Sequence, residues 1–493
     1  MVNLWANETH PGYGTLAVKP VPYLSRAQNL RAERLRQARM LFEGRHRQYF
    51  LDEPRSQFDF PAMEVNGQTI RPYAALKLLR LLSYKSADLI FGEKASLSCD
   101  NAIKQMYLDE LAKRSKVHSR FHAAAVQASW AGGACLLSCL WREKSYIMTT
   151  EPEEIFPEGS PNPDDQFESY LLCREATVGP EDQPIRLLLE THYGREVIER
   201  RVRQLDPDGQ PLRDLSLDLW PGPEKDLPPR ESTGVGENLV TWIPNEIDGK
   251  RGVSDYDGLI GSQDSVNAAM TQIARVIAQH SDPFLALPDE AFDQDGVFRL
   301  KNKAISFRSK DQIPTYITWD AQLTPAQTDR QFRLNAFCIE AEMSQVLLGI
   351  KEGAAPDAAR KLRLEATNSL AKAKRKTLNL EPAIQRALEI ALRLDRDARV
   401  AAVAFPDVPV GVEMHDGLPI DDLDEANVVA TYRGAGAMSL EDAVERRKRD
   451  PKATAEEVER IRKEKAAATP SILMDESGEG AETGEAANAG GGE

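Results

Sequence analysis

Apolar side chains recur at helical spacing in two stretches near the middle of the chain, residues 257–280 and 324–348. Within each stretch the apolar positions lie three, four or seven residues apart, which places them on one face of a helix. The two apolar seams consist of Leu259, Val266, Met270, Ile273 and Ile277 in the first stretch and of Phe332, Ala336, Ile339, Met343 and Val346 in the second. The pattern predicts two amphipathic helices whose narrow apolar faces pack against other helices.

The segment between these helices, residues 283–320, is rich in residues that favour strands. Its strand-like runs are Phe284-Leu285-Ala286-Leu287, Val297-Phe298, Ile305-Ser306-Phe307 and Tyr316-Ile317-Thr318-Trp319. A loop is predicted after the second helix, over residues 349–360, because Gly349, Gly353 and Pro356 interrupt the helical pattern. The sequence therefore predicts a helical hairpin with a small β tip at one end and a loop at the other.

The first half of the chain alternates between helical and strand patterns. Helices are predicted over 25–44, 73–92 and 104–132, the second ending at Gly92. Strands are predicted over 134–140, 145–150, 170–176, 185–191 and 196–204, and a long Pro- and Gly-rich loop over 212–237. Together these elements predict an α+β domain with a mainly antiparallel sheet.

The last third of the chain is mostly helical. A long helical region is predicted over 357–396, with a bend or restart at Pro382. A strand is expected over 400–412, and helices over 421–444, interrupted by Gly434-Ala435-Gly436, and over 454–465, where Thr454 begins a capping box. From Ala466 onward the chain has no Lys or Arg, and this acidic tail is expected to be disordered.

Composition places limits on the function. The 493 residues suffice for roughly two to four domains, and the net charge of −15 disfavours a general nucleic-acid-binding surface, which needs a basic face. A channel that lets DNA pass without gripping it is still compatible with this charge. The five cysteines are odd in number and scattered, which favours reduced thiols. Neither a signal peptide nor a membrane span is expected, so assembly in a cytoplasm is predicted.

Motifs for catalysis or metal binding are weak throughout the sequence. No phosphate-binding Gly-rich loop is present, and His118 and His122 lack the acidic partner of a metalloprotease helix. Cys135 and Cys139 lie in a strand pattern and are interpreted as buried apolar residues. Residues 293–296 mimic part of a calcium loop but lack its downstream Glu, which indicates a turn. We predict no enzyme activity, no cofactor and no metal site.

One basic run could contact DNA. It consists of Arg360, Lys361, Arg363, Lys372, Lys374, Arg375 and Lys376. These side chains could form a solvated helix face that pairs with acidic neighbours, or a ring of phosphate contacts near a channel constriction.

The order of several short motifs resembles that of portal proteins from tailed phages with long non-contractile tails. The resemblance covers roughly residues 30–465. The motifs are residues 79–92 with Phe91-Gly92-Glu93, Gly132-Gly133 followed by Glu151-Pro152, Gly252-Val253-Ser254-Asp255-Tyr256 with Asp264-Ser265-Val266-Asn267, and Asp416-Gly417-Leu418-Pro419 through Ala435-Gly436-Ala437-Met438-Ser439.

The resemblance implies a portal fold: an α/β wing, a helical-hairpin stem, a small β-containing clip and a helical crown, assembled as a ring. The implied divisions are wing 1–253, first stem helix 254–282, clip 283–320, second stem helix 321–348, tunnel loop 349–360, long helix and wing return 361–412, crown 413–467 and acidic tail 468–493. Candidate residues near the DNA are Gly349, Lys351, Glu352, Gly353, Pro356, Arg360 and Lys361.

The resemblance also implies a function and partners. Such a ring, of twelve subunits in the mature particle, would sit at one vertex of a phage head and conduct double-stranded DNA during packaging and ejection. The implied partners are terminase, the major capsid and scaffolding proteins, and a head-completion or adaptor protein. The expected location is the virion, with assembly in the host cytoplasm and without a membrane.

Other interpretations stay open at the sequence level. The two apolar seams could form the core of a monomeric bundle instead of contacts in a ring. The chain could also be another structural head protein, such as a scaffold or minor capsid component, or a nucleic-acid enzyme.

Overall fold

The computed structural model describes residues 21–65, 68–162, 164, 166–181, 183–248, 251–280, 284–286, 315–317, 323–350, 358–397, 405–418, 422–448 and 451–468. Helices and strands are mixed along the chain. The chain divides into two compact units, Met1–Ile420 and Asp421–Glu493.

Eleven α-helices lie in this described part of the chain. Their bounds are α1 Arg26–Glu43, α2 Leu78–Phe91, α3 Ala102–Ser115, α4 Val117–Ala131, α5 Ile260–His280, α6 Leu323–Glu340, α7 Ala358–Glu365, α8 Thr367–Asp397, α9 Asp422–Gly434, α10 Leu440–Lys448 and α11 Pro451–Ala468. The second unit contains α9 to α11, with α10 contacting both α9 and α11.

The strands form several antiparallel sheets. Their bounds are β1 Met63–Val65, β2 Gln68–Ile70, β3 Ser96–Ser98, β4 Gly133–Trp141, β5 Lys144–Thr149, β6 Ile155–Glu158, β7 Ser169–Val178, β8 Ile185–Tyr193, β9 Val197–Leu205, β10 Pro211–Leu215, β11 Arg230–Ser232, β12 Val240–Pro244, β13 Glu246–Asp248, β14 Arg251–Val253, β15 Phe284–Ala286, β16 Thr315–Ile317 and β17 Gly411–Glu413. The largest sheet has the order β10-β9-β8-β7-β6, with β11 also on β9, and a second sheet has the order β12-β4-β5.

Helix α8 contributes a long buried face to the main core of the first unit. Its face with Ile384, Ala387, Leu388 and Ala391 is fully buried in the main hydrophobic core, which it shares with α1, α2, α4 and α5. The same helix continues through Pro382, which is exposed to solvent. The break in the long helical region lies earlier, between α7 and α8. At Pro382 the helix stays continuous because burial of its apolar face outweighs the local cost of the proline.

Helix α6 ends at Glu340, eight residues before the end expected from its apolar periodicity. Glu342 adopts a left-handed backbone with φ of 53°. The Met343 N–H donates to the Cys338 carbonyl at 2.9 Å and the Glu342 N–H to the Ile339 carbonyl at 3.1 Å. This pair of bonds is a Schellman motif, which closes a helix and usually has glycine at the left-handed position. Because Glu occupies that position here, the sequence carries no visible stop signal.

The strands predicted over 134–204 correspond to β4, β5, β7, β8 and β9, but two other regions differ from expectation. The segment 212–237 is not a plain loop, since β10 and β11 both pair with β9. Of the strand expected over 400–412, the structure describes residues 405–412, and strand begins there at Gly411 with β17, which pairs with β3. Edge strands this short have too few alternating positions to stand out in the sequence.

Two glycines allow α2 to approach the segment that follows β17. A Cβ built on Gly92 would lie 2.1 Å from the Cα of Gly417, and one built on Gly417 would lie 2.6 Å from the Cα of Gly92. Both contacts are with backbone, which cannot rotate away. Two of the motifs that carry the portal resemblance therefore meet in space.

Substituting Gly92→Ala should destabilise the chain by about 1–3 kcal/mol, since the added methyl group overpacks this contact. The backbone of Gly92 is right-handed, with φ of −63°, so the loss would come from the contact and not from backbone strain. Urea unfolding followed by circular dichroism measures the effect. Gly261→Ala in α5 is the matched control, because a Cβ there meets nothing within 4 Å. Equal midpoints for the two variants would contradict this account.

Candidate functional site

The segment that leads into α5 is held by hydrogen bonds to the end of α4. The Asp255 N–H donates to the Ser129 carbonyl at 2.8 Å, and the Ser254 hydroxyl donates to the Trp130 carbonyl at 2.8 Å. The Asn245 N–H donates to the Gly132 carbonyl at 3.1 Å. We call this region the stem junction and define it as residues 129–133, Asn245, residues 252–256, Lys372 and Lys376.

Glycines are required where the chain segments of the stem junction cross. A Cβ on Gly252 would lie 2.0 Å from the Gly132 carbonyl oxygen, and a Cβ on Gly133 would lie 2.2 Å from the Trp242 ring. Gly132 itself has φ of 85°, a conformation that side chains with a Cβ rarely adopt. The sequence pairs Gly132-Gly133 and Gly252-Val253 therefore allow the first unit's sheet and α5 to approach closely.

Asp255 is the charged centre of the stem junction and is 7% exposed. Its carboxylate accepts hydrogen bonds from the Ser129 hydroxyl at 2.5 Å, from the Asn245 side-chain amide at 3.2 Å and from Lys376. The Lys372 ammonium lies 3.2 Å from the same carboxylate and donates to the Ala341 carbonyl at 3.0 Å. Asp255 thus links α8 to the start of α5, and Lys372 extends the link to the end of α6.

The charges in this cluster are fixed by their mutual contacts. Burial alone would raise the pKa of Asp255, but the ammonium groups of Lys376 and Lys372 outweigh burial and hold that pKa well below its usual range. Burial lowers the pKa of Lys376, and the Asp255 carboxylate opposes that shift. An ionised carboxylate saturated by donors is suited to joining helices and has no free lone pair for proton transfer.

A polar face of α5 forms a second set of contacts. Gln263, Asn267 and Thr271 lie four residues apart, and all three are buried. They face the extended segment before α2. Gln263 Nε2 donates to the Leu76 carbonyl at 2.8 Å, and the Ala74 N–H donates to Thr271 Oγ1 at 2.9 Å. The sequence analysis missed this face. The signal available for it was the i, i+4, i+8 spacing of amide and hydroxyl side chains.

The predicted stem seams divide between buried and exposed positions. Leu259, Val266 and Met343 are at most 4% exposed, whereas Met270, Ile273 and Val346 are partly buried. Three seam residues are largely exposed in the single chain: Ile277 (50%), Phe332 (71%) and Ile339 (77%).

Helix α6 contributes a different apolar face to the core of its own chain. Leu334, Phe337, Cys338 and Ala341 are at most 5% exposed and share the main core with Val266. Phe332 and Ile339 lie seven residues apart on α6, on one face that no part of the described chain covers. We call Phe332 and Ile339 the exposed stem stripe.

The basic run is largely paired with acids. Lys372 and Lys376 are buried against Asp255, and the Arg375 guanidinium contacts the Glu342 carboxylate at 2.7 Å. Arg363 contacts the Asp416 carboxylate at 2.9 Å, and Lys361 lies 4.0 Å from Glu365. Burial removes Lys372 and Lys376 from any phosphate-binding surface of the chain. Lys374 is exposed.

The predicted tunnel loop is described only in part. Gly349 is exposed and has φ of 68°. Lys351, Glu352, Gly353 and Pro356 lie outside the described residues. Arg360 lies in α7, and the Lys361 side chain is 58% exposed.

Groups that could serve catalysis or metal binding are dispersed. Within the described ranges, no three His, Cys, Asp or Glu side chains are close enough to hold a metal ion. His122 lies 3.1 Å from Asp88, and Cys135 is a buried free thiol whose pKa burial raises to about 12. Across the same residues, none of the helices has the length and apolarity needed to span a bilayer.

Comparison with known proteins identifies one family. The model for the family described as phage portal protein, SPP1 Gp6-like, matches residues 24–471. Among solved structures, the chain resembles the neck of a native gene transfer agent particle computed with C12 symmetry, with 12% identity, 74% of this chain and 88% of that chain covered, and a TM-score of 0.41. It also resembles a chain in the virion of a native gene transfer agent particle, with 11% identity, coverage of 74% and 86%, and a TM-score of 0.39. No curated protein sequence matches it.

Proposed function

Because the chain belongs to the SPP1 Gp6-like family of phage portal proteins, whose model matches residues 24–471, we propose that it forms a closed ring at one vertex of a phage capsid. DNA would enter the head through the central channel during packaging and leave through it at infection. The ring would have twelve subunits in the mature particle. It would bind terminase first and head-completion or adaptor proteins later, and would contact the major capsid and scaffolding proteins.

The exposed stem stripe is the observation that carries the ring proposal. Phe332 and Ile339 are 71% and 77% exposed on a helix whose other apolar face is buried in its own chain. Exposed large apolar side chains aligned on one face are typical of protein interfaces. A head-to-tail contact with a different surface of the neighbour would cover this face on every subunit, and such contacts close into a ring when the rotation between subunits permits.

The stem junction supports the division into functional segments. Asp255 joins the start of α5 to α8, and Lys372 joins α8 to the Ala341 carbonyl just after α6. We therefore assign α5 and α6 to the stem and the first unit's sheets and α8 to the wing. The strand pair β15–β16 belongs to the clip, and α9 to α11 belong to the crown. Rigid links at the base of both stem helices would transmit movements between the stem and the wing.

Ion pairs hold the chain on both sides of the tunnel loop, residues 349–360. Glu342 contacts Arg375, and Arg363 in α7 contacts Asp416. We propose that this loop lines the narrowest part of the channel, with Lys351 and Glu352 near the DNA.

Deleting three residues from the loop, Gly353, Ala354 and Ala355, should leave the subunit folded and the ring formed, because no residue of the described core is removed. DNA packaging or retention should fall at least tenfold, measured as nuclease-protected DNA in an assembly system with the other head proteins. The control is truncation from Thr469 onward, which removes the acidic tail and should leave both ring and packaging intact. Normal packaging by the loop deletion, or loss of the ring, would each contradict the tunnel-loop assignment.

A further inference from the structure

The first unit contains a cavity of about 640 Å³ outside the stem junction. It lies between β4 and β5 on one side and β7 to β9 on the other, and the segment 223–233 covers part of it. This volume falls in the range of small-molecule sites, about 300–1,000 Å³. The portal function described above makes no use of it.

The inner wall of the cavity is apolar and belongs to the packed core. Its aliphatic residues that are at most 8% exposed are Leu137, Ile147, Leu172, Ile198, Leu239 and Leu394. Their positions are fixed by paired strands and by α8, so the wall is preformed. Such a wall favours an aliphatic chain, because transfer of each CH₂ group from water gains about 0.8 kcal/mol.

The charged side chains of the lining are mainly basic, although the whole chain carries a net charge of −15. Five basic residues, Arg114, Lys116, Arg120, Arg174 and Arg200, and two acidic residues, Glu224 and Glu231, line the cavity. Three of the arginines are held by carboxylates: Arg174 contacts Glu224 at 2.7 Å, Arg200 contacts Glu231 at 2.5 Å, and Arg114 contacts Asp395.

Lys116 and Arg120 have no carboxylate partner within the described part of the chain. They lie four residues apart around the start of α4, and both line the cavity. Burial raises the pKa of the nearby Cys139 to about 11, so its thiol stays neutral and does not compete for Arg120. Two unpaired cations beside an apolar wall would attract a ligand with one anionic group.

We propose that this cavity binds an anionic amphiphile. Its aliphatic chain would lie against the apolar inner wall, and its carboxylate would contact Lys116 and Arg120. The mouth of the cavity is also apolar, since Leu140, Trp141 and Met148 are between 39% and 46% exposed there. A chain longer than the cavity would lie across this apolar mouth. A short chain with a single charge matches a buried apolar wall that lies beside two cations.

Isothermal titration of the full-length protein with sodium decanoate, kept below its micelle concentration, tests the proposal. We expect saturable binding of one decanoate per chain, with a change in the fluorescence of Trp141 that disappears in Trp141→Phe. Uncharged decanol should bind about tenfold more weakly, because the head group loses its contact with Lys116 and Arg120. Saturation by decanol at the same affinity, or no saturable binding of decanoate, would overturn the proposal.

Charge-matched variants locate the site. Lys116→Gln and Arg120→Gln should each weaken decanoate binding about three- to tenfold and leave decanol binding unchanged. Lys374→Gln removes the same charge from an exposed position on α8 outside the cavity and should leave both unchanged. Thermal unfolding at the parental temperature would show that all three variants are folded. An equal loss in Lys374→Gln, or no loss in either cavity variant, would contradict the assignment.

Discussion

Asp255→Asn should destabilise the chain by about 3–5 kcal/mol, because it leaves two buried ammonium groups without their counter-charge. Lys372 and Lys376 are 7% and 2% exposed, and the Asp255 carboxylate is the acidic group that contacts both. An Asn side chain preserves the size of the group and one acceptor, so the loss isolates the charge. The expected result is a large fall in the urea midpoint, or an insoluble protein.

Two further variants serve as comparisons for Asp255→Asn. Lys376→Met should cost clearly less than Asp255→Asn, because the Asp255–Lys372 pair survives and the methionine fills the apolar volume. Asp329→Asn breaks an exposed pair with Arg333 and should cost less than about 1 kcal/mol. If Asp255→Asn were as mild as Asp329→Asn, the stem junction would not be the link between α5, α6 and α8.

Phe332→Glu and Ile339→Glu should each prevent ring assembly and leave the subunit folded. Both side chains are more than two thirds exposed in the single chain, so a carboxylate there is hydrated and its cost to folding is small. In a ring the same carboxylate would be buried against an apolar neighbour, at a cost of several kcal/mol per interface. Mass photometry at micromolar concentration should therefore show subunits where the parental chain shows rings.

Leu212→Glu is the control for these stem variants. Leu212 lies on β10 and is 59% exposed, so the substitution has the same chemistry at a position away from the stem. We expect rings from Leu212→Glu. Rings from Phe332→Glu and Ile339→Glu would place the subunit contact elsewhere, and unfolding of those variants by circular dichroism would show that the stripe belongs to the core of its own chain.

Local periodicity predicted several long elements of the first unit, but it placed α3 and α4 in a single helix over 104–132, which Lys116 divides with a left-handed φ of 51°. The strands β4, β5, β7, β8 and β9 are long enough to be recognised in the sequence, and α2 and α5 carry sustained helical spacing. Periodicity failed at the end of α6, where a Schellman motif closes the helix with Glu342 in place of glycine. The carboxylate of Glu342 also contacts Arg375 in α8, a partner that the local sequence does not indicate.

The stem junction was beyond the reach of the sequence alone. Asp255 and Lys376 are separated by 121 positions, and neither has a local partner that hints at the pairing. The basic run on α7 and α8 suggested DNA contacts, yet its two buried members neutralise an acid from another part of the chain. The glycine motifs could be noted as part of the resemblance, but the sequence does not show why glycine is needed. The structure shows close backbone approach of Gly92 to Gly417 and of Gly132 to Gly252.

The central claim is that the chain assembles into a closed ring around a channel. Electron microscopy of negatively stained, purified full-length protein, combined with mass photometry of the same sample, tests it most directly. The account predicts end-on views with a central channel and a mass that is an integer multiple of 54.8 kDa. A single species of 54.8 kDa at micromolar concentration, with no ring in any view, would contradict it.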